Sequence, residues 1–401
     1  MRVIGLISGT SFDAVEAAAA DLVLQDDVIV CDLLGSLSVA YPDDLRARIA
    51  ALLPPAATTV EEVCRLDTMI GQAFAEVAAE ADASLCAGAA ELVCSHGQTV
   101  FHWVQEGHAR GTLQLGQPAW IAERTGLAVV SDLRPADIAA GGQGAPLVSV
   151  LDDLLLRPSD GRPPRAALNL GGIANLTVLR PRAAPVAFDV GPGNALIDAA
   201  VTHLTEGAER LDRDGRRAAR GRVDAAALRR LLDEPYYDTP PPKSTGKELL
   251  HLDYLLDRLS DHPLSPDDLV ATVTELTVET VARDVERFGV AEVLAAGGGT
   301  RNPTLMGRLG RRLGPGVHLT TTAELGIPPT AKEALAFALI GFLTAAGLPA
   351  NLPSATGARR AVVLGRLTPG AAPPPVPQTT TVPRALVVRT ADPSLRTETV
   401  A

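Results

Sequence analysis

Residues 2–24 read RVIGLISGTSFDAVEAAAADLVL. An apolar run breaks at Gly9 and resumes at Ala14, and VIVCDLLGSLSVAY (28–41) is apolar again. Apolar runs parted by short polar breaks read as a strand meander, its first turn built on Gly9, Thr10 and Ser11. The second half opens in the same style. AALNLGGIANLTVL (166–179) reads as a Gly-interrupted hairpin, and PVAFDVGPGN (185–194) as a strand and turn.

Helices follow each set of strands. Residues 58–81 form a long amphipathic pattern, with Thr59 and Glu62 as its capping box. Residues 264–289 form another, with Ser265 as N-cap and Pro266 at the first helical position. AELVCSHGQT (90–99) reads as a strand ending in a Gly turn, and LAVVSDL (127–133) as a further strand. EVLAAGGGTRNPTLMGRLGRRLG (292–314) runs strand, glycines, helix, and AKEALAFALIGFLTAAG (331–347) is an apolar helix closed by Gly347. No strict internal repeat accompanies the recurring style. The class is α/β in two domains, expected at 1–135 and 136–370. AAPPPVPQTTTVPR (371–384) opens a Pro-rich tail, 371–401, in which RALVVRT leaves room for one short strand.

The bulk properties narrow the function. A chain of 401 residues exceeds one ordinary core, and 46% apolar residues suit a globular fold. A net charge of −11 without a basic block argues against nucleic acid as partner. The four cysteines show no CxxC spacing, which fits a reducing compartment. Neither a signal peptide nor a membrane span is expected, so the protein reads as cytoplasmic.

Several motifs carry chemistry. Gly9, Thr10 and Ser11 can offer backbone N–H groups and hydroxyls to a phosphate, with Asp13 placed to hold Mg²⁺ through water. The rival is an ordinary hairpin turn. Gly297, Gly298 and Gly299 end a strand before a helix, either as a close approach for a ligand or as a tight turn. His96 in CSHGQTVFH adjoins Ser95, but neighbours on a strand face opposite sides, which argues against a nucleophile pair. Arg134, between Asp132 and Asp137, can fork onto a carboxylate or serve a structural ion pair. PPKSTGKELL (241–250), with Lys243 and Lys247, reads as a solvated helix start. Asp189 sits against a Gly-Pro-Gly turn, where a carboxylate must be solvated, paired or used.

In order along the chain, GLISGTSFDAVEAA, SHGQTVFH, QLGQPAWIAERTGLAVVSDLRPADIAAGGQGAPLV, NLGGIANLT, FDVGPGNALID, PPKSTGKEL, GGGTRNPTLM and AKEALAFALI resemble the anhydro-N-acetylmuramic acid kinases over about residues 3–368. The resemblance implies the two-domain actin/hexokinase-like ATPase fold, with a ligand cleft between the domains. It implies a homodimer that uses ATP and Mg²⁺ to open 1,6-anhydro-N-acetylmuramic acid and phosphorylate O6. On this resemblance Gly9, Thr10, Ser11, Phe12, Asp13, Ala14, Val15 and Glu16 form the first phosphate loop. Gly297, Gly298 and Gly299 lie near the nucleotide, Arg134 and Glu333 bind the sugar, and Asp189 is the catalytic base. The family generally reads GTS-x-D-G-x-D; Ala14 here replaces the Gly and Glu16 the Asp. GIPPTAKEA lacks an acidic residue that many members carry. The alternatives are a kinase of another sugar on the same fold, a non-catalytic sugar sensor, and an actin-like filament protein.

Overall fold

The computed structural model describes residues 1–389 apart from 10, 54, 55, 242, 246–248, 377, 378 and 380. Thr10 and Lys247 therefore lie outside the described residues. The chain forms two compact units: residues 1–155 with 325–327 and 331–401, and residues 156–324 with 328–330. The division expected at 135/136 falls inside the Leu133–Ala139 helix. Residues 331–370 and the described tail go with the first unit, because the Lys332–Ala345 helix packs on its sheet.

In the first unit the meander is β1 (Arg2–Ser8), β2 (Ala14–Gln25) and β3 (Val28–Ala40). Then come β4 (Leu92–Gln105), β5 (His108–Leu115) and β6 (Val129–Ser131). The core order is β3-β2-β1-β4-β6, antiparallel through the meander and parallel across β1-β4-β6. The second unit holds β7 (Arg165–Leu170), β8 (Ile173–Leu179), β9 (Val186–Pro192), β10 (Glu292–Ala296) and β11 (His318–Thr321). Its order, β9-β8-β7-β10-β11, repeats that core with the same strand directions. The duplicated sheet is the frame expected of the actin/hexokinase-like α/β fold. β12 (Arg366–Thr368) and β13 (Ala385–Arg389) extend the first sheet at its two edges, so the tail does contain its short strand, pairing with β3.

Alternation along the strands splits the first core into two faces. Ile4, Leu6, Ala17 and Ala19 pack with Ile70 and Phe74 of the Val60–Leu85 helix. Val3, Ala18, Ala20 and Leu22 pack with Leu335 and Leu339 of the Lys332–Ala345 helix. That helix is buried on nearly every side, which is why its sequence is apolar all round. The long helices begin where the sequence signals them: Thr59 accepts from Glu62 N–H, and Ser265 from Asp268 N–H.

Two strand ends differ from expectation. β4 does not stop at Gly97, which takes φ +70°, but continues to Gln105 because β5 pairs with it throughout. β9 runs on to Pro192, so Asp189 lies within the strand, opposite Asn175.

The Lys332–Ala345 helix approaches β1 closely at Gly5, where an added Cβ would stand 2.0 Å from Ala334 O and 2.3 Å from Ala338 N. Gly5→Ala should lower stability by about 1–3 kcal/mol or more, the usual cost of overpacking. Urea unfolding checks this; an unchanged midpoint would contradict such close packing.

Candidate active site

The first turn is shaped by hydrogen bonds within it, from the residue after β3 and from β4. Phe12, at φ +44°, donates its N–H to Gly9 O at 3.1 Å, and Tyr41 N–H donates to Asp13 O. Buried Gln98 of β4 accepts from Ser8 Oγ at 2.6 Å and donates to Gly9 O at 3.2 Å. An added Cβ at Gly9 would meet nothing, so the backbone there is open to a ligand. Asp13 pairs with Arg46, yet its side chain stays 55% exposed. Ala14 opens β2 opposite Ala40, and the left-handed backbone falls on Phe12 instead. The methyl at position 14 therefore costs no strain. Glu16 lies in β2 between Ile7 and Ser38, while Val15 is buried and can reach a phosphate only through its backbone. Ser11 is exposed.

Arg134 rises from the start of the Leu133–Ala139 helix. Its Nε donates to His96 Nε2 at 2.9 Å and its Nη1 to Gly144 O at 2.7 Å. Asp137 is no ion-pair partner at bonding distance. Fully buried, it accepts from Gly144 N–H, Asn351 Nδ2 and Thr356 Oγ1, so it shapes the glycine loop. An added Cβ at Gly142 would stand 2.1 Å from its carboxylate. Burial brings the Arg134 guanidinium down to about 10, against the opposing pull of Glu333 and Asp137. Arg134 and Glu333 are thus near enough to interact, Glu333 from the first turn of the Lys332–Ala345 helix. Asp132 pairs instead with Arg366 at 2.5 Å.

Asp189 is the most elaborately held of the expected residues. Its Oδ2 accepts from Ser244 Oγ at 2.8 Å and from Thr245 N–H at 3.1 Å. Its backbone donates to Lys243 O at 3.1 Å and accepts from Tyr236 OH at 2.7 Å. It is not the cap of the next helix, which starts after Asn194. Lys243 corrects the expectation of a solvated helix start. Its side chain is 1% exposed, 4.0 Å from Asp284, and donates to Tyr237 O at 3.2 Å. The ammonium also lies 4.8 Å from the centre of the Tyr236 ring. Burial pushes its pKa down, with Asp284 opposing. Ser244 and Thr245 were not singled out as partners of Asp189; the signal available was their place in PPKSTGKEL.

The three glycines after β10 do different things. Gly297, at φ +88°, and Gly299 press on the β7–β8 turn: an added Cβ would stand 2.8 Å from Leu170 O and 2.7 Å from Leu170 Cβ. Around Gly298 there is open space. The α-helix begins only at Pro303, capped by Asn302, so the glycines form a 3₁₀ turn before it rather than its N-terminus. Asn194 Nδ2 donates to Leu170 O and Gly171 O, both at 3.2 Å. Leu170–Gly172, which sequence reasoning gave no role, thereby joins the turns after β9 and β10. Among the described residues no group of three or more His, Cys, Asp or Glu is placed to hold a metal, and no helix is long and apolar enough to cross a membrane.

The family model described as anhydro-N-acetylmuramic acid kinase matches residues 1–370. A protein of that name from Streptomyces coelicolor is 62% identical over 362 residues, covering 90% of this chain and 92% of its own. Those from Rhodococcus erythropolis and Streptomyces avermitilis are 56% and 59% identical, each with 90% of this chain and 92% of the relative covered. A match that spans both duplicated sheets at this identity shows that the chain belongs to the anhydro-N-acetylmuramic acid kinase family and is a sugar kinase, a phosphotransferase with an alcohol group as acceptor.

Proposed function

We propose that this protein uses ATP and water to convert 1,6-anhydro-N-acetylmuramic acid into N-acetylmuramic acid 6-phosphate. The observation that carries the reading is the Asp189 carboxylate, on a strand and fixed at one oxygen by Ser244 and Thr245. Two donors on Oδ2 hold that oxygen in place. Asp189 takes a proton from water as the water oxygen bonds to C1 of the sugar. The C1–O6 bond breaks, and O6 forms a bond to the γ-phosphorus as ADP departs. This resembles half of an inverting glycosidase, with the phosphoryl group standing in for the general acid.

Arg134 and Glu333 act on the sugar, Arg134 on its lactyl carboxylate, for which a guanidinium fork is the natural partner. The turn from Gly9 to Glu16 and the open backbone at Gly298 serve the phosphates of ATP. The donor set suits Mg²⁺: Asp13 gives one half-exposed carboxylate, and Mg²⁺ binds through one or two carboxylates, waters and phosphates. Asp13 would hold that ion through water, and when bound it neutralises charge on the phosphates. Family membership also carries the parts of the proposal that concern a cytoplasmic homodimer.

Asp189→Asn keeps size and removes the base, so turnover should fall by about 10²–10⁴ or more while nucleotide binding is retained. Steady-state rates beside ATP titration by calorimetry check this; near-normal turnover would exclude Asp189 as the base. Asp13→Ala should raise the Mg²⁺ needed for half-maximal rate by about tenfold or more. A folded Asp13→Ala protein with an unchanged Mg²⁺ dependence would remove Asp13 from the ion's shell.

A further inference from the structure

His96 has no place in the reaction proposed above, yet it is 4% exposed and both ring nitrogens are engaged. Its Nδ1 lies 3.0 Å from Gly97 O. A carbonyl oxygen only accepts, so Nδ1 carries the proton and Nε2 is bare. Nε2 is the atom that receives Arg134 Nε–H, at 2.9 Å. Gly97 makes this possible through its left-handed backbone, φ +70°. Phe337 packs on the imidazole with ring centres 4.7 Å apart. The ring's surroundings keep it neutral: burial first and Arg134 second bring its pKa down to about 3.

A guanidinium can meet a carboxylate side-on, through Nε and Nη2, or end-on, through its two Nη atoms. With Nε given to His96 the side-on edge is taken; Nη1 gives one hydrogen to Gly144 O, so its second hydrogen and Nη2 remain at the end of the fork. We infer that His96 is a positioning residue that orients Arg134, leaving only the end of its fork to meet the carboxylate of the sugar. The inference rests on the proposal that Arg134 binds that carboxylate. It assigns His96 neither nucleophile nor acid–base chemistry: the imidazole acts through Arg134 alone.

The test is a set of variants on two substrates, the natural anhydro sugar and its analogue without the lactyl group. His96→Asn keeps a donor for Gly97 O and withdraws the acceptor from Arg134. It should raise KM for the natural sugar by about tenfold to a hundredfold, the worth of a lost bond to a charged group, and change kcat far less. His96→Gln, whose amide oxygen can reach Arg134, should recover most of that loss. On the analogue both variants should match the parent protein. Melting curves check folding; if His96→Asn fails to fold, His96→Met, with only a weak acceptor, takes its place. An unchanged KM, or an equal rise on both sugars, overturns the inference. Arg134→Lys run in parallel separates the two ideas. If it discriminates between the sugars and the His96 variants do not, only His96 loses its role. If Arg134→Lys does not discriminate, the carboxylate reading fails and the inference with it.

Discussion

The Asp189 carboxylate, half-buried on a strand of a five-stranded sheet, must be met by donors or water. Much of the second unit near β9 is arranged around that demand. Residues 243–245 lie along the strand, with Lys243 O tied to Asp189 N–H and Ser244 and Thr245 on the carboxylate. Lys243 in turn is anchored below by Asp284, the Tyr237 carbonyl and the Tyr236 ring. Removing one partner of the buried Lys243–Asp284 pair would leave the other uncompensated and loosen the segment that carries Ser244 and Thr245.

The first unit solves a related problem with one strand. On β4, Gln98 holds the carbonyl of Gly9, and His96 holds the guanidinium of Arg134. The left-handed residue between them, Gly97, separates neighbouring positions that serve the Gly9 turn and Arg134. The central helix lies against β1 through Gly5, and against β4 at Gly341, where an added Cβ would stand 2.6 Å from Cys94 Cβ. That helix also carries Glu333, so packing of the core and placement of the site are one constraint.

Local signals made the frame legible. The meander, the caps at Thr59 and Ser265 and the closing Gly347 all depend on residues a few positions apart. The ordered motifs identified the family. Long-range partnerships were not legible. Lys-Ser-Thr-Gly looks solvated, because the Tyr236 and Asp284 that bury Lys243 are supplied by other parts of the unit. The place of His96 was not legible, because its partner Arg134 is 38 residues away. The continuation of β4 past Gly97 likewise depends on β5, a strand not read in advance.

The central claim is that Asp189 directs water to carbon while phosphorus goes to O6. Single-turnover reaction in ¹⁸O-labelled water, with the product analysed by mass spectrometry, tests it most directly. The account predicts one label on the C1 hydroxyl and none in the phosphate. Label in the phosphate, or none at C1, would contradict it.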